Sequence, residues 1–401
     1  MWFRSFIPFF VQVLLFLNTF IVSLSLRRRD YESSDIDIFV FIKICVWFST
    51  FLFCMFFFNK WKKSLFQNNN LFLLLLFCFM AISCFYAPSF NYSSGAFFSI
   101  VTIFGLLFFS AIYIEEELIV RSIFAAVTLF SFISLIFYFA YPEVSRMKVW
   151  EGGEMSISNR ISGIAGNANI LGFTSAFGLL MALFFKKYWH HFYFYVFLAI
   201  HLSVLILSQS RTSMVALILS LIMGFLVNLN TAKLSILLTL ITLSLGAVLL
   251  VDIDYMLRAL SRSGDAVEIT SGTGRIFLWN EVIYIINQRP WTGWGYASSS
   301  FIMPEFSYVI GYSPLQAHNL LLQILFFVGY IGLFLFLIFY FLEFYMAYKN
   351  GDKFKVAGLF FIFFGGIAES SVFTGVANMA TLAFAAIVAL NYKHKSYPHL
   401  L

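Results

Sequence analysis

Charged side chains are scarce in this chain of 401 residues. Asp, Glu, Lys and Arg make up 11% of the sequence, whereas hydrophobic residues make up 61% and 55 residues are Phe. A water-soluble fold could not bury that much apolar surface, so the composition excludes an ordinary soluble globular protein. We therefore expect residues 1–401 to form a single integral membrane domain.

Motifs that would hold a metal ion, a nucleotide or a disulfide framework are also missing. The chain contains neither an H-E-x-x-H pattern nor paired cysteines, and it lacks a Walker-type phosphate loop. Its cysteines lie in or at the edges of apolar runs, where a free thiol behaves as a small hydrophobe. We therefore expect no metal ion, no other cofactor and no disulfide at Cys45, Cys54, Cys78 or Cys84.

Long apolar runs recur from one end of the sequence to the other. A helix needs roughly 20 apolar residues to cross a hydrocarbon core about 30 Å thick, so these runs predict twelve transmembrane helices. Polar residues between Glu369 and Asn378 interrupt the last stretch, where a broken or re-entrant hairpin is the alternative. The runs lie near 6–26, 38–58, 71–86, 96–114, 122–141, 170–185, 192–208, 213–229, 233–251, 319–342, 356–373 and 375–391.

Basic residues indicate how the helices are oriented. The net charge of +6 does not point to a nucleic-acid partner, because the Lys and Arg residues lie in short loops between apolar runs. One set of alternate loops holds thirteen of them and the opposite short loops hold four, of which Arg27 to Arg29 are the exception to the pattern. We therefore expect both termini in the cytoplasm and the loops 142–169 and 252–318 on the outer side. The sequence contains no internal repeat, which disfavours a transporter built from two related halves.

Two polar segments of the predicted outer face contain arginine. The first runs from Asn159 to Asn169 and combines Arg160 with glycines and asparagines, whose donors could face an anion or sugar hydroxyls. Alternatively, it is a polar loop in which Asn169 caps the next helix. The second is the turn around Ser210 and Arg211, where the arginine is either a snorkelling membrane anchor or a bidentate phosphate ligand.

The long outer loop contains a third candidate arginine and a candidate histidine. Arg275 lies in the first turn of a helix-like segment near 274–288 that is too short to span, and free backbone N–H groups at that end favour a bound anion. A surface amphipathic helix is the alternative. The Trp and Tyr residues of 290–296 suit either a membrane interface or stacking on a sugar ring. His318, the one histidine on the predicted outer face, is either a general base or a structural residue.

Two charged residues fall inside apolar runs. Such residues are functional candidates because a charge within a bilayer is costly. Lys43 can snorkel outward, whereas Glu369 could support the outer site or line a cavity.

The order of these elements resembles the O-antigen ligase and polymerase superfamily of bacterial envelope proteins. The resemblance extends from about Arg160 to Leu342. It rests on Arg160-x-x-Gly163 with Asn167-x-Asn169-x-x-Gly172, Ser208-x-Ser210-Arg211, Gly274-Arg275 with Trp279, Pro290-x-x-Gly293-x-Gly295, and Ala317-His318-Asn319.

The resemblance implies an all-α architecture of the C type of glycosyltransferases, with about a dozen helices and a large periplasmic loop before a late helix. It also implies metal-independent glycosyl transfer from a glycan carried on undecaprenyl diphosphate. By the same resemblance, Arg211 and Arg275 would hold the diphosphate with help from Arg160, and His318 would deprotonate or orient the acceptor hydroxyl. Ser210, Asn319 and Asn169 would support them.

Several functions remain open. A polymerase, which transfers the growing glycan to another lipid-linked repeat unit, is expected first, and a ligase, which transfers it to the lipid A core of lipopolysaccharide, is the alternative. A lipid-linked glycan flippase or other transporter and a membrane scaffold without chemistry are less favoured, because charges cluster on one face. The expected location is the bacterial inner membrane, where flippase or chain-length-regulator proteins would be partners.

We predict that the proposed site residues share the outer side of the membrane. Single cysteines placed beside Arg160, Arg211, Arg275 and His318, in a protein whose own cysteines are replaced, should react with a membrane-impermeant thiol reagent in intact spheroplasts. A cysteine beside Lys187, on the predicted inner side, is the control and should react only after permeabilisation. Protection of any one of the four outer positions would contradict a shared site.

Overall fold

The computed structural model describes residues 2–25, 38–59, 70–151, 154–228, 275–310, 314–369 and 372–390. These residues form a helical bundle with one small β-hairpin. The helices are α1 (Trp2–Val22), α2 (Ile38–Phe56), α3 (Leu71–Ser83), α4 (Phe90–Tyr113), α5 (Glu116–Ala140), α6 (Ala168–Phe184), α7 (His191–Ser208), α8 (Arg211–Leu226), α9 (Arg275–Ile286), α10 (Leu320–Lys349), α11 (Lys353–Ile367) and α12 (Met379–Ala389). Single helical turns lie at Cys84–Tyr86, Pro142–Ser145, Gly163–Ala165, Lys186–Tyr188, Ser299–Ile302, Met303–Phe306 and Ser307–Ile310.

The prediction of an all-helical polytopic membrane protein is confirmed in outline. Eleven of the twelve predicted apolar runs coincide with helices, and the run 233–251 lies outside the described residues. Within the described part of the chain, α2, α4, α5, α7 and α10 are long and apolar enough to cross a membrane. The number twelve and the architecture of C-type glycosyltransferases remain predictions. A helix, α9, is present at Arg275–Ile286, where the sequence predicts an interfacial helix near 274–288, and its position at the membrane interface remains a prediction.

The loop 142–169, which is predicted to lie on the outer side, contains a β-hairpin that the sequence interpretation did not include. Strands β1 (Arg146–Glu151) and β2 (Glu154–Ile161) pair antiparallel, with Arg146 opposite Ile161 and an irregularity between Arg146 and Lys148. A Gly152-Gly153 pair between two short alternating segments is a hairpin signal, although it is brief and follows long apolar helices. The hairpin ends at the motif that contains Arg160.

Polar side chains join several of the apolar helices. Asn18 of α1 donates to Thr50 of α2 at 2.8 Å, and buried His201 of α7 lies 3.1 Å from the Thr128 hydroxyl of α5. Helices surrounded by lipid gain little from hydrophobic association, so interhelical hydrogen bonds and close packing stabilise their contacts. Gly178 permits the close contact between α6 and α7, because a Cβ atom at this position would overlap the His201 ring.

Helix α10 is broken at Gly329, and a loop supplies the missing hydrogen bonds. Gly329 has φ 60° and ψ −164°, which interrupts the helical ladder. The amides of Trp294 and Gly295 donate to the carbonyls of Phe326 and Phe327 at 2.8 and 3.0 Å, and Tyr330 N donates to Pro290 O at 2.8 Å. Unpaired backbone groups are costly within a bilayer, so the 290–295 loop is a structural partner of this break.

A second irregular segment separates α11 from α12. These helices have 15 and 11 residues, which gives lengths of about 23 Å and about 17 Å. In the described part of the intervening segment, the Tyr296 hydroxyl donates to Gly375 O, and the amides of Ala377 and Met379 donate to the hydroxyls of Ser99 and Ser23 at 2.8 and 3.1 Å. The interruption predicted between Glu369 and Asn378 is therefore present, and helices α1 and α4 support it.

Gly329→Ala should destabilise the protein strongly. Alanine disfavours φ 60° by roughly 1–2 kcal/mol, and its Cβ atom would also overlap the Trp291 backbone. We expect the melting temperature of the detergent-solubilised protein to fall by at least several degrees. Gly95→Ala in α4 is the matched control, because a Cβ atom there meets nothing within 4 Å. Equal melting temperatures for the two variants would show that a side chain at position 329 does not strain the break in α10.

Candidate functional site

The Glu369 carboxylate lies at the centre of a polar cluster just beyond the end of α11. Its Oε1 atom accepts a hydrogen bond from Asn169 Nδ2 at 2.6 Å and forms an ion pair with Arg275 Nη2. Its Oε2 atom lies 2.9 Å from His318 Nδ1. One carboxylate therefore brings together three residues that the sequence analysis predicted separately. Its own role had been left open between supporting the site and lining a cavity.

Arg160 extends the cluster to the end of α7. Its Nη2 atom donates to Asn169 Oδ1 at 2.9 Å, and its Nε atom donates to the carbonyl of Ser208 at 3.0 Å. Arg160 is 7% exposed. Asn169 contacts both Arg160, which lies in strand β2 of the hairpin, and Glu369. It therefore links the hairpin to the carboxylate.

Two asparagines that were expected to support the site lie at helix N-termini. The cap of α6 is Asn167, whose side chain accepts from the amides of Asn169 and Ile170. The alternative in which Asn169 itself caps this helix is therefore wrong, and the Asn169 side chain reaches the cluster instead. Asn319 caps α10 by accepting from the amides of Leu321 and Leu322.

The turn that contains Ser210 and Arg211 packs against α6. The hydroxyls of Ser210 and Ser213 lie 2.9 Å apart, and Ser210 N donates to Ser208 Oγ at 3.2 Å. A Cβ atom at Gly172 would lie 2.7 Å from Ser208 Oγ, so this glycine lets the turn approach α6 one turn below Asn169. Arg211 is the first residue of α8 and lies three residues after Ser208, whose carbonyl accepts from Arg160.

His318 has a backbone conformation that its neighbours impose. Its φ of 49° is unusual for a residue with a side chain and indicates strain. On one side, Ala317 O accepts from Trp279 Nε1 at 3.0 Å and Ala317 N donates to Gln323 Oε1 at 2.7 Å. On the other side, Asn319 Nδ2 donates to Ile367 O at 2.9 Å. These contacts fix the His318 ring beside Glu369, and Trp279 and Gln323 are positioning residues that the sequence interpretation did not assign.

The surroundings of Glu369 keep its carboxyl ionised. Burial raises the pKa of a carboxyl group, but the hydrogen bond and charge of His318, the charge of Arg275 and the hydrogen bond from Asn169 outweigh burial and hold the Glu369 pKa below its ordinary value of 4.5. A carboxylate can only accept, so Nδ1 of His318 donates to it, and in the neutral ring Nε2 then carries the lone pair. This tautomer gives His318 the nitrogen that a general base needs.

The geometry therefore combines cations with a base that has a defined tautomer. Side-chain exposures of 21% for Arg275, 20% for Glu369 and 32% for His318 show that a solute can reach the cluster. Residues 194–337 match the family model described as O-Antigen ligase. The predicted family resemblance is confirmed. The matched region includes the Arg211 turn, Arg275 and His318.

A named relative is similar over a shorter segment. A protein of Rickettsia felis, whose name proposes that it is a polysaccharide ligase, is 40% identical over 74 residues. The aligned segment covers 17% of this chain and 18% of the relative. The chain therefore matches less than one fifth of that protein's length, and the activity that its name suggests enters only as a proposal below.

The lowered pKa of Glu369 predicts the pH range in which its contacts stabilise the fold. The folded-state pKa lies below the ordinary value of 4.5, so the contribution is complete above that value and is lost as the pH falls through the lowered pKa. We expect wild type to melt above Glu369→Gln at about pH 7 and about pH 5.5, and the difference to shrink below about pH 4. Exposed Glu143→Gln is the control and should melt like wild type at each pH. A difference that disappeared between about pH 7 and about pH 5.5 would contradict a lowered pKa.

Proposed function

We propose that this protein is a metal-independent membrane glycosyltransferase that uses a glycan carried on undecaprenyl diphosphate. The observation that carries the proposal is the Glu369 cluster, in which Arg275 and His318 contact the same carboxylate. The match to the O-antigen ligase family supports a ligase- or polymerase-type activity. The cluster also lies at the end of α11 that is predicted to face the periplasm.

In the proposed reaction, the acceptor hydroxyl oxygen attacks the anomeric carbon of the donor glycan. The bond between that carbon and the diphosphate oxygen breaks, and undecaprenyl diphosphate leaves with the electron pair. The acceptor proton passes to His318 Nε2. Arg275 and Arg211 stabilise the charge that develops on the leaving diphosphate, because fixed cationic donors act strongly where water is largely excluded.

The remaining site residues position these groups. Arg160 assists by holding Asn169, and Asn169 in turn holds Glu369. Ser210 shapes the turn that precedes Arg211, and Asn319 joins the N-terminus of α10 to the last carbonyl of α11. The partly exposed cluster lies in a chain that is otherwise mostly apolar, which suits a donor with a polar head group and a long lipid tail.

The acceptor distinguishes two candidate functions. The sequence analysis favours a polymerase, whose acceptor is another lipid-linked repeat unit. A ligase that uses the lipid A core is the second candidate, and the description of the matched family and the name of the Rickettsia felis relative favour it. We place the protein in the bacterial inner membrane with both termini in the cytoplasm, where flippase and chain-length-regulator proteins would be partners.

Assays with purified protein and lipid-linked repeat units, in the presence of a chelator, test the proposal. Chain extension with repeat units alone would indicate a polymerase, and transfer only after addition of lipid A core would indicate a ligase. No transfer in either mixture, or loss of wild-type activity on chelation, would contradict the proposal.

Variants in the same assay test the residue roles. Removal of a general base typically lowers turnover on the order of 100-fold to 10,000-fold, so we expect a loss in this range for His318→Ala. Arg211→Lys should be nearly as damaging, because lysine keeps the charge but lacks the planar fork that grips two phosphate oxygens. The controls are His190→Ala and Arg121→Lys, two exposed residues on the predicted inner side. Near-normal activity of Arg211→Lys would reduce that residue to a membrane anchor.

A further inference from the structure

We propose that Glu369 is an exchangeable counter-ion, which occupies the anion position on Arg275 in the donor-free site and is displaced from it by the donor diphosphate while it remains bound to His318. The inference deepens the proposed function and rests on it. It assigns Glu369 as a positioning residue that couples donor binding to the base.

The two carboxylate oxygens of Glu369 have different partners. Oε1 faces Arg275 and Asn169, whereas Oε2 faces His318. A carboxylate and a phosphate group present similar pairs of oxygens to a guanidinium, so a phosphate oxygen can replace Oε1 on Arg275. The exchange leaves the contact between Oε2 and His318 intact.

A second ion pair in the same protein, between Glu343 and Lys355, is more deeply buried. Glu343 and Lys355 approach to 2.6 Å with side-chain exposures of 5% and 14%, and Lys355 also donates to Val388 O at 3.0 Å. Arg275, Glu369 and His318 are 20% to 32% exposed. Of these two pairs, the one between Arg275 and Glu369 is therefore the more accessible to a solute.

Charge favours the exchange. Separating Glu369 from Arg275 costs less than it would in a sealed pair, because water partly screens the two charges and the incoming diphosphate replaces the carboxylate on the guanidinium. A diphosphate diester carries a charge on each phosphate and offers several acceptor oxygens, against one charge on the carboxylate. In its proposed role, Arg211 adds a second cation that attracts the diphosphate. The donor therefore competes well for Arg275.

Once Arg275 has bound the diphosphate, His318 is, among the described residues, the one partner of the carboxylate that can carry a positive charge, beside the neutral donor Asn169. While Arg275 is paired with Glu369, the positive charge of Arg275 offsets part of the negative charge that the carboxylate exerts on the imidazole ring. Once the diphosphate has taken Arg275, the carboxylate stabilises the imidazolium that forms when Nε2 accepts the acceptor proton. Donor binding would thus leave the charge of Glu369 to stabilise the imidazolium at the step that forms it.

Glu369→Gln separates this role from a merely structural one, because it keeps the size of the side chain and removes the charge. Without the competing carboxylate, we expect inorganic pyrophosphate to inhibit the variant at a concentration several-fold lower than wild type, and the donor KM to fall. We expect kcat to fall on the order of 100-fold, because the imidazolium loses its charged partner. A structural role would raise KM and lower kcat together.

Two further variants complete the test. Glu369→Asp keeps the charge, so its pyrophosphate inhibition should stay within about twofold of wild type and its kcat should exceed that of the Gln variant. Exposed Glu143→Gln should match wild type in every parameter. Weaker pyrophosphate inhibition of Glu369→Gln would overturn the inference. Tighter inhibition of the Asp variant would do the same, even if the Gln variant failed to fold.

Pyrophosphate binding also distinguishes failure of the counter-ion from failure of the proposed function. Stabilisation of the purified protein against heat by pyrophosphate requires no glycosyl transfer. If wild type transferred no glycan but Glu369→Gln gained more stabilisation than wild type, the glycosyltransferase would be wrong and the counter-ion would stand. If wild type transferred glycan normally but pyrophosphate stabilised Glu369→Gln no more than wild type, only the proposal that Glu369 is an exchangeable counter-ion would be wrong.

Discussion

The Glu369 carboxylate allows cationic groups to converge in a chain that has few charges. Its partners Asn169, Arg275 and His318 lie 200, 94 and 51 residues away in the sequence. An unpaired guanidinium in a partly buried site is unfavourable, so bringing Arg275 close to His318 requires an anion in the absence of a ligand. Helices α6, α9, α10 and α11 meet at this end of the bundle, where the residues at or next to their ends contact the anion Glu369.

Irregular backbone gives this cluster its shape. Glu369 lies two residues after the last residue of α11, and His318 lies two residues before the first residue of α10, so neither side chain belongs to a regular helix. Their loops are held because Asn319 binds the last carbonyl of α11, and Trp279 and Gln323 bind Ala317. Side chains thus replace the hydrogen bonds that a regular helix would provide, and the strained φ of His318 is maintained.

The sequence predicted the helices better than it predicted the site. Long apolar runs identify helices because each must cover a membrane span with apolar surface, and eleven runs coincide with helices. Pattern and order also selected Arg160, Arg275 and His318, which the structure places in one connected cluster. The link between them was not predictable, because Glu369 is a lone charge in an apolar run and its partners are set by tertiary packing. Gly152-Gly153 was similarly too local a signal to outweigh a loop assignment.

The Pro290 to Gly295 motif shows that some residues of a family pattern support the fold and do not take part in the reaction. Its aromatic residues were open to a role in stacking on a sugar ring, yet its backbone pairs with the broken part of α10. A Cβ atom at Gly293 would overlap the backbone of Phe327, and a Cβ atom at Gly329 would overlap the backbone of Trp291. Both glycines are therefore required for the close contact between this loop and α10. Loss of activity on substitution of Gly293 would therefore report on the position of α10, and through it on His318. Such a loss would not by itself indicate contact with a glycan, whereas a change at Glu369 that lowered both the donor KM and kcat would point to the site.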